Sequence, residues 1–369
     1  MSHNGDIKKF RKMTKMIIGP YSVEHFWDSY REFNLAETSF DQSPLWLDAF
    51  IQHVVQSSDA VMVCAVAGES PSESAKPLCL LPMWRQNSQR LRRLASLSNF
   101  YTTHCALLFS PDADIRVCIA TIARGIAAQR RRWDVVDINP LGVETDAYAA
   151  ILDGFRANGF FVKSYFRFAN WHLDVAGRAF EEYWAHVPAT LRNTLERKKR
   201  KLARESGYRL QIVDNNQDLA IAMADYEQVY AASWKEGESH PQFIRSVLEG
   251  FAGAGWLRLG ILYIQNVPAA AQIWFVKDKV ASIFKLAYDA RFEKHSVGSI
   301  LMQHLMRHVI DADKVRIVDF LSGDEAYKKD WMSHRTECVG VRAYNLRTLR
   351  GLLLAAREVA AGVYKRWRA

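Results

Sequence analysis

Cysteine is scarce in this sequence, and what there is does not pair. Cys64, Cys79, Cys105, Cys118 and Cys338 make five in 369 residues, with no C-x-x-C spacing. An odd, scattered set argues against both a disulfide framework and a zinc site, and fits a reducing cytoplasm. No run approaches the roughly 18 apolar residues that a membrane-crossing helix needs. The basic opening stretch, MSHNGDIKKFRKMTKMIIGP, lacks the long apolar core and small-residue cleavage site of a secretion signal. The expectation is a cytoplasmic protein, peripheral at most on the inner membrane face. The absence of a G-x-S-x-G elbow and of a P-loop removes the commonest hydrolase and NTPase readings. His304 and His308 stand four apart, but no H-E-x-x-H accompanies them and they share a polar face with Gln303 and Arg307. No metal is expected.

What is present is apolar bulk and positive charge. With 49% hydrophobic residues the chain can bury a large core, enough for two domains. Lys and Arg number 49 against 40 Asp and Glu, a net charge of +9 that favours an anionic partner. Residues 1–170 read as mixed α/β. VMVCAVAG (61–68) and AKPLCLLPMW (75–84) look like paired strands joined by the turn ESPSES. A helix over 114–132, a strand over 133–141 and a helix closed by Gly159 follow. FEEYWAHVPATLRNTLERKKRKLARES (180–206) reads as a basic helix. Leu191, Leu195 and Leu202 form a thin apolar seam, and Arg192, Arg197, Lys198, Lys199, Arg200, Lys201 and Arg204 cover the remainder. Its charge is either a solvated face or a contact for phosphate on a bulky anionic substrate. Continuous lysines without interleaved aromatics weaken a nucleic-acid reading.

After Gly207 the order is regular: helices at 218–234 and 241–255, three strands over 256–289, a helix at 298–311, a strand at 315–321, a short helix near 324–332 and a last strand, ECVGVRAY. The end of the chain is amphipathic. Leu349, Leu352, Leu353, Ala356, Val359, Ala360, Val363 and Trp367 share a face that either packs on the core or lies on anionic lipid.

The order α-α-β-β-β-α-β-α-β resembles the GNAT acyltransferase fold. FDQSPLWLDAF (40–50), LSNFYTTHCALLF (97–109), LRNTLERKKRKLARESG (191–207), ASWKEG (232–237), FKLAYDARFEKHSVGSILMQHL (284–305) and VDFLSGDEAYKKDW (318–331) resemble its Fem-like, CelD-like branch. The resemblance implies an α/β (α+β) fold of two tandem GNAT-like domains, each a mixed, mostly antiparallel sheet flanked by helices. The expected division is a domain over 1–175, a connecting basic helix over 176–207, a C-terminal acyltransferase domain over 208–345 and an amphipathic helix over 346–369.

In such a fold the strands matching 282–289 and 315–321 lie parallel and splay apart, exposing backbone groups to the amide-bearing arm of coenzyme A. The next helix points its N-terminus at the pyrophosphate. Lys294, His295, Ser296, Val297, Gly298 and Ser299 occupy that turn, with one glycine where the usual loop has a pair. Asp319, near the end of a central strand, either orients or deprotonates the acceptor or caps the turn through backbone N–H groups; Tyr327 by the resemblance would protonate the leaving thiolate, and otherwise packs with Trp331. Lys328 or Lys285 would stabilise developing negative charge. Lys285 is unusual in its own right, as a lysine in the otherwise buried-looking strand SIFKLAY. Arg192, Lys199, Trp234, Tyr288 and, in the first half, Tyr101 are candidates for substrate contact. The implied function is acyl transfer, with acyl-CoA as co-substrate, to an amino or hydroxyl group of an envelope, polysaccharide or similar anionic precursor. An aminoacyl-tRNA donor, or a non-catalytic module holding an anionic polymer, are the alternatives.

Overall fold

The computed structural model describes residues 15–19, 38–56, 59–67, 77–88, 91–130 and 132–368. Most of the basic opening stretch and the ESPSES turn lie outside the described residues. Two units divide the chain: one holds the residues up to Arg167 and from Glu337 onward, the other Phe168–Thr336. This differs from the expected division. The basic helix belongs to the second unit, and the last strand and helix return to the first.

The first unit begins with β1 (Lys15–Gly19), α1 (Pro44–His53), β2 (Ala60–Ala67), β3 (Pro77–Ser88), β4 (Leu91–Ser96) and the two-residue β5 (Leu108–Phe109). It continues with α2 (Ile115–Ala128), β6 (Val135–Gly142), α3 (Asp146–Ala157) and β7 (Phe160–Asp174). Caps set the helix starts. The Asp114 carboxylate accepts from the Val117 amide and the Thr145 hydroxyl from the Tyr148 amide. β1 to β4 pair antiparallel in sequence, and β6 then runs parallel to β4. Ile119, Ile122, Ala123 and Ile126 of α2 recur at helical spacing and are buried with Ile138 and Phe155.

The second unit contains α4 (Phe180–His186), α5 (Ala189–Glu205), β8 (Arg209–Val213), α6 (Leu219–Ala231), α7 (Pro241–Gly253), β9 (Leu257–Ile264), β10 (Val267–Lys277) and β11 (Val280–Tyr288). A 3-10 turn at Ala290–His295 leads into α8 (Val297–Asp311), followed by β12 (Ile317–Ser322) and a second 3-10 turn at Ala326–Asp330. β13 (His334–Asn345) and α9 (Leu349–Arg368) complete the chain. The basic stretch is two helices, because Pro188 has no N–H and disfavours helical backbone in the residue before it. On α5 only Leu195 and Leu202 are buried, so the thin seam holds the helix and its charges stay solvated.

The sheet of this unit runs from the end of β7 through β12, β11, β10 and β9 to β8. Only the β11–β12 pair is parallel. Two-residue hairpins at Gln265-Asn266 and Asp278-Lys279 join β9 to β10 and β10 to β11. All four residues adopt positive φ, the geometry that matches strand twist. Leu301, Met302, Leu305, Met306 and Val309 of α8 are buried together, as their spacing predicts. A side chain at Gly260 of β9 would stand 2.8 Å from the Leu305 side chain, so glycine lets α8 settle on the sheet.

β13 pairs antiparallel with β6, which brings α9 onto the first unit. Gly351 makes that contact close: a Cβ there would collide with the carbonyl oxygens of Asn345 and Asp134. α9 therefore packs through Gly351, Leu354 and Ala355, not through its broad apolar stripe. Leu349, Leu353, Val363 and Trp367 remain 61–82% exposed.

Candidate active site

β11 and β12 are joined over three residue pairs only, Val280 with Ile317, Ala281 with Val318 and Ser282 with Asp319. Beyond Ser282 they part. β11 continues to Tyr288 against β10, whereas β12 bends toward β7 with an irregular register between Asp319 and Ser322. The bend has an identifiable cause. The Asp319 Oδ1 accepts both the Leu321 amide and the Asn170 side-chain amide, each at 2.7 Å, and Leu321 takes a φ of 54°. The backbone edge of β11 from Ile283 on thus faces a cleft of about 680 Å³ instead of a neighbouring strand.

The mouth of α8 lies at this cleft, with Ser296, Val297, Gly298 and Ser299 among its lining. Ser296 stands in the left-handed region, φ 57° and ψ 36°, and no side chain caps the helix. The first-turn N–H groups of Val297, Gly298 and Ser299 have no intrahelical acceptor, so the positive end of the helix is open. Gln272 holds this turn from below. Its amide donates to the Gly298 carbonyl at 2.8 Å and accepts from the buried Trp274 indole at 3.0 Å. Lys294 and His295 do not line the cleft. They sit beside α5, whose Lys198 donates to the Lys294 carbonyl. Burial, and then the neighbouring Lys294, hold the His295 imidazole below its ordinary pKa.

Lysines and aromatic rings form the rest of the wall. The Lys285 ammonium pairs with Glu238; burial pulls its pKa down while Glu238 opposes the shift. Lys328, 3% exposed, pairs with Glu325 at 3.0 Å and donates to the Ser322 carbonyl at 2.8 Å, closing the turn after β12. Gly323 within this turn has φ 123°, and a side chain there would run into Glu325 and Lys328. Tyr327 packs edge-on against Phe320, with its ring partly exposed to the cleft. Burial, and then Glu325, push the Tyr327 pKa up, so it keeps its proton across the neutral range. Tyr288 and Trp234 lie ring against ring, 4.5 Å between centroids.

The structure therefore brings together Lys285, Tyr288, Trp234, Tyr327, Lys328 and residues 296–299. Asp319 is not among the cleft-lining residues, and its Oδ1 holds the strand bend, the second of its two readings. Arg192, which donates to the Val187 carbonyl, and Lys199, which pairs with Glu196, also lie outside that wall. Tyr101 is buried in the first unit. Sequence reasoning passed over Lys235 and Gln272. Their signals were a lysine beside Trp234 in ASWKEG and a lone polar residue in the apolar run AAAQIWFV. Among the described residues no cluster of His, Cys, Asp and Glu could hold a metal ion, and no helix is long and apolar enough to cross a membrane.

Residues 189–329 match the family model described as an acetyltransferase (GNAT) domain. No curated protein matches the sequence. Among solved structures, FemX aligns over 92% of this chain and 100% of its own, with a TM-score of 0.59 and 10% identity. A conserved protein of unknown function from Bacteroides thetaiotaomicron aligns over 89% and 100%, with TM-score 0.55 and 10% identity. The C-terminal domain of a protein assigned as a lysylphosphatidylglycerol synthetase, from Agrobacterium fabrum, aligns over 92% and 97%, with TM-score 0.52 and 13% identity. At such identities these likenesses speak for the fold. Residues 189–329 are accordingly similar to a GNAT-type acetyltransferase domain, and the fold of the chain is like that of FemX.

Proposed function

We propose that the second unit transfers an acyl group from an acyl-CoA thioester to an amino or hydroxyl group of an anionic envelope or polysaccharide precursor. One observation carries this reading: two parallel strands part after three pairs, opposite an uncapped helix N-terminus. The free edge of β11 suits the amides of the coenzyme A arm. The first-turn N–H groups of α8 suit its pyrophosphate, and Lys198 and Lys294 add positive charge nearby. The acceptor nitrogen or oxygen attacks the thioester carbonyl and releases its proton to solvent, the tetrahedral oxyanion collapses, and the C–S bond breaks. Tyr327 supplies the proton to the departing thiolate, and the cation of Lys285 favours the oxyanion. Both lysines have a carboxylate partner, Glu238 for Lys285 and Glu325 for Lys328, and Lys328, which also donates to the Ser322 carbonyl, is read as a structural cation.

Titration calorimetry with acetyl-CoA tests the reading directly. Saturable binding that Gly298→Val abolishes supports it; heats that do not saturate refute it. Tyr327→Phe should retain that affinity and lose transfer. The solvated cationic face of α5 favours a second donor, aminoacyl-tRNA, and competition between such a tRNA and acetyl-CoA separates the two. The exposed stripe on α9, with Trp367 82% exposed beside arginines, supports peripheral contact with an anionic membrane from the cytoplasmic side. Co-sedimentation with phosphatidylglycerol vesicles should fall when residues 346–369 are removed; equal pelleting of both forms rejects the contact.

A further inference from the structure

Three lysines line the cleft, and their partners differ. Lys285 is matched by Glu238, and Lys328 by Glu325 and the Ser322 carbonyl. Lys235 is half-buried, with its ammonium 5.7 Å from the ring centre of Trp234 and 6.0 Å from that of Tyr230. Among the described residues no carboxylate reaches it. Aromatic faces recover only part of the hydration that a lysine loses on entering a cleft. The other charges facing it leave the imbalance in place. Lys285 and Lys328 repel it, and Glu325, the acid that attracts it, is committed to Lys328.

We propose that Lys235 is the subsite for an oxyanion, carboxylate or phosphate, borne by the acceptor. The acceptor is then an amine or alcohol carrying negative charge of its own, and the exposed Trp234 ring offers an apolar face for its sugar or peptide part. This inference rests on the acyl-transfer reading. The ammonium titrates where such a role needs it: burial first, and Lys285 second, bring Lys235 down to about 8, so it is charged at neutral pH. A bound oxyanion would stabilise the charged form, and binding should weaken as pH rises past that value.

Two matched pairs of probes test the subsite by ligand-observed NMR on the full chain: glucosamine 6-phosphate against glucosamine, and glycylglycine against glycylglycinamide. The sugar pair reports on phosphate and the peptide pair on carboxylate. In at least one pair the charged member should bind about tenfold tighter, the value of one charge-assisted contact. The preference should vanish in Lys235→Met and persist in Lys235→Arg. Equal affinity within both pairs, or a preference that survives Lys235→Met, overturns the proposal. Acetyl-CoA titration of the same samples keeps the two readings apart. Donor binding without charge preference removes the subsite and leaves the donor assignment standing. Charge preference without donor binding does the reverse.

Discussion

Replacing Gln272 by leucine asks whether one buried amide holds the helix mouth in place. Gln272 is 1% exposed and Trp274 fully buried, so neither lost bond can be replaced by bulk water. The indole N–H of Trp274 loses the acceptor seen at 3.0 Å, and an unsatisfied buried donor costs about 1–3 kcal/mol. The Gly298 carbonyl keeps its place in the helix ladder, so losing the 2.8 Å bond there costs less, about 0.5–1.5 kcal/mol. Leucine returns roughly 1 kcal/mol through its apolar surface. The net loss is about 2 kcal/mol, and in a unit of this size that lowers Tm by roughly 4–8 °C. Differential scanning calorimetry measures it. Acetyl-CoA affinity should fall in the same variant, because the first turn of α8 is no longer tied to β10. A transition within about 1 °C of the parent, with donor affinity unchanged, would show that the Gln272 bridge holds nothing.

Three further outcomes follow from the same geometry. Asp319→Asn retains an oxygen for both donors and should leave stability and transfer nearly intact, whereas Asp319→Ala should lose about 1–3 kcal/mol in urea unfolding; lost turnover in the asparagine variant alone would restore a chemical role for the carboxylate. Ser296→Gly should gain about 0.5–1 kcal/mol, since glycine takes the left-handed conformation without strain but gives back some chain entropy; a loss of stability there would contradict the backbone geometry. The folded-state pKa of Lys235, about 8, lies below its ordinary 10.5, so between these values the unfolded chain binds more protons. Stability should therefore rise with pH across that window, and Lys235→Met should flatten the rise in urea titrations run from pH 7 to pH 10.5.

Local pattern made most of the second unit legible. Strand-like runs and a five-residue apolar helix face located β9 to β11 and α8 within a residue or two. The cleft was legible as a place, because an abruptly polar stretch after a buried strand needs a reason. The roles inside it were not. A carboxylate at a strand end reads the same whether it meets solvent or two amides of its own chain, and only the Asn170 contact from β7 separates the cases for Asp319. Lys235 looked like part of an ordinary loop, since its missing counterion is a fact about Lys285, Lys328 and their acids. The division of the chain was hidden for a similar reason: β13 joins β6 from far along the sequence, Tyr344 opposite Val135, and no local signal records that pairing. α9 is the sharpest instance. Its helical wheel shows one broad apolar stripe, and hydrophobicity alone would bury it. Gly351 decides otherwise, because the smallest residue permits the closest approach to the Asn345 and Asp134 carbonyls. Once that face is docked, Lys163 and the Tyr344 hydroxyl secure Glu358 on the same side. The leucines then point outward by geometry, and a face so exposed must find water, lipid or another protein.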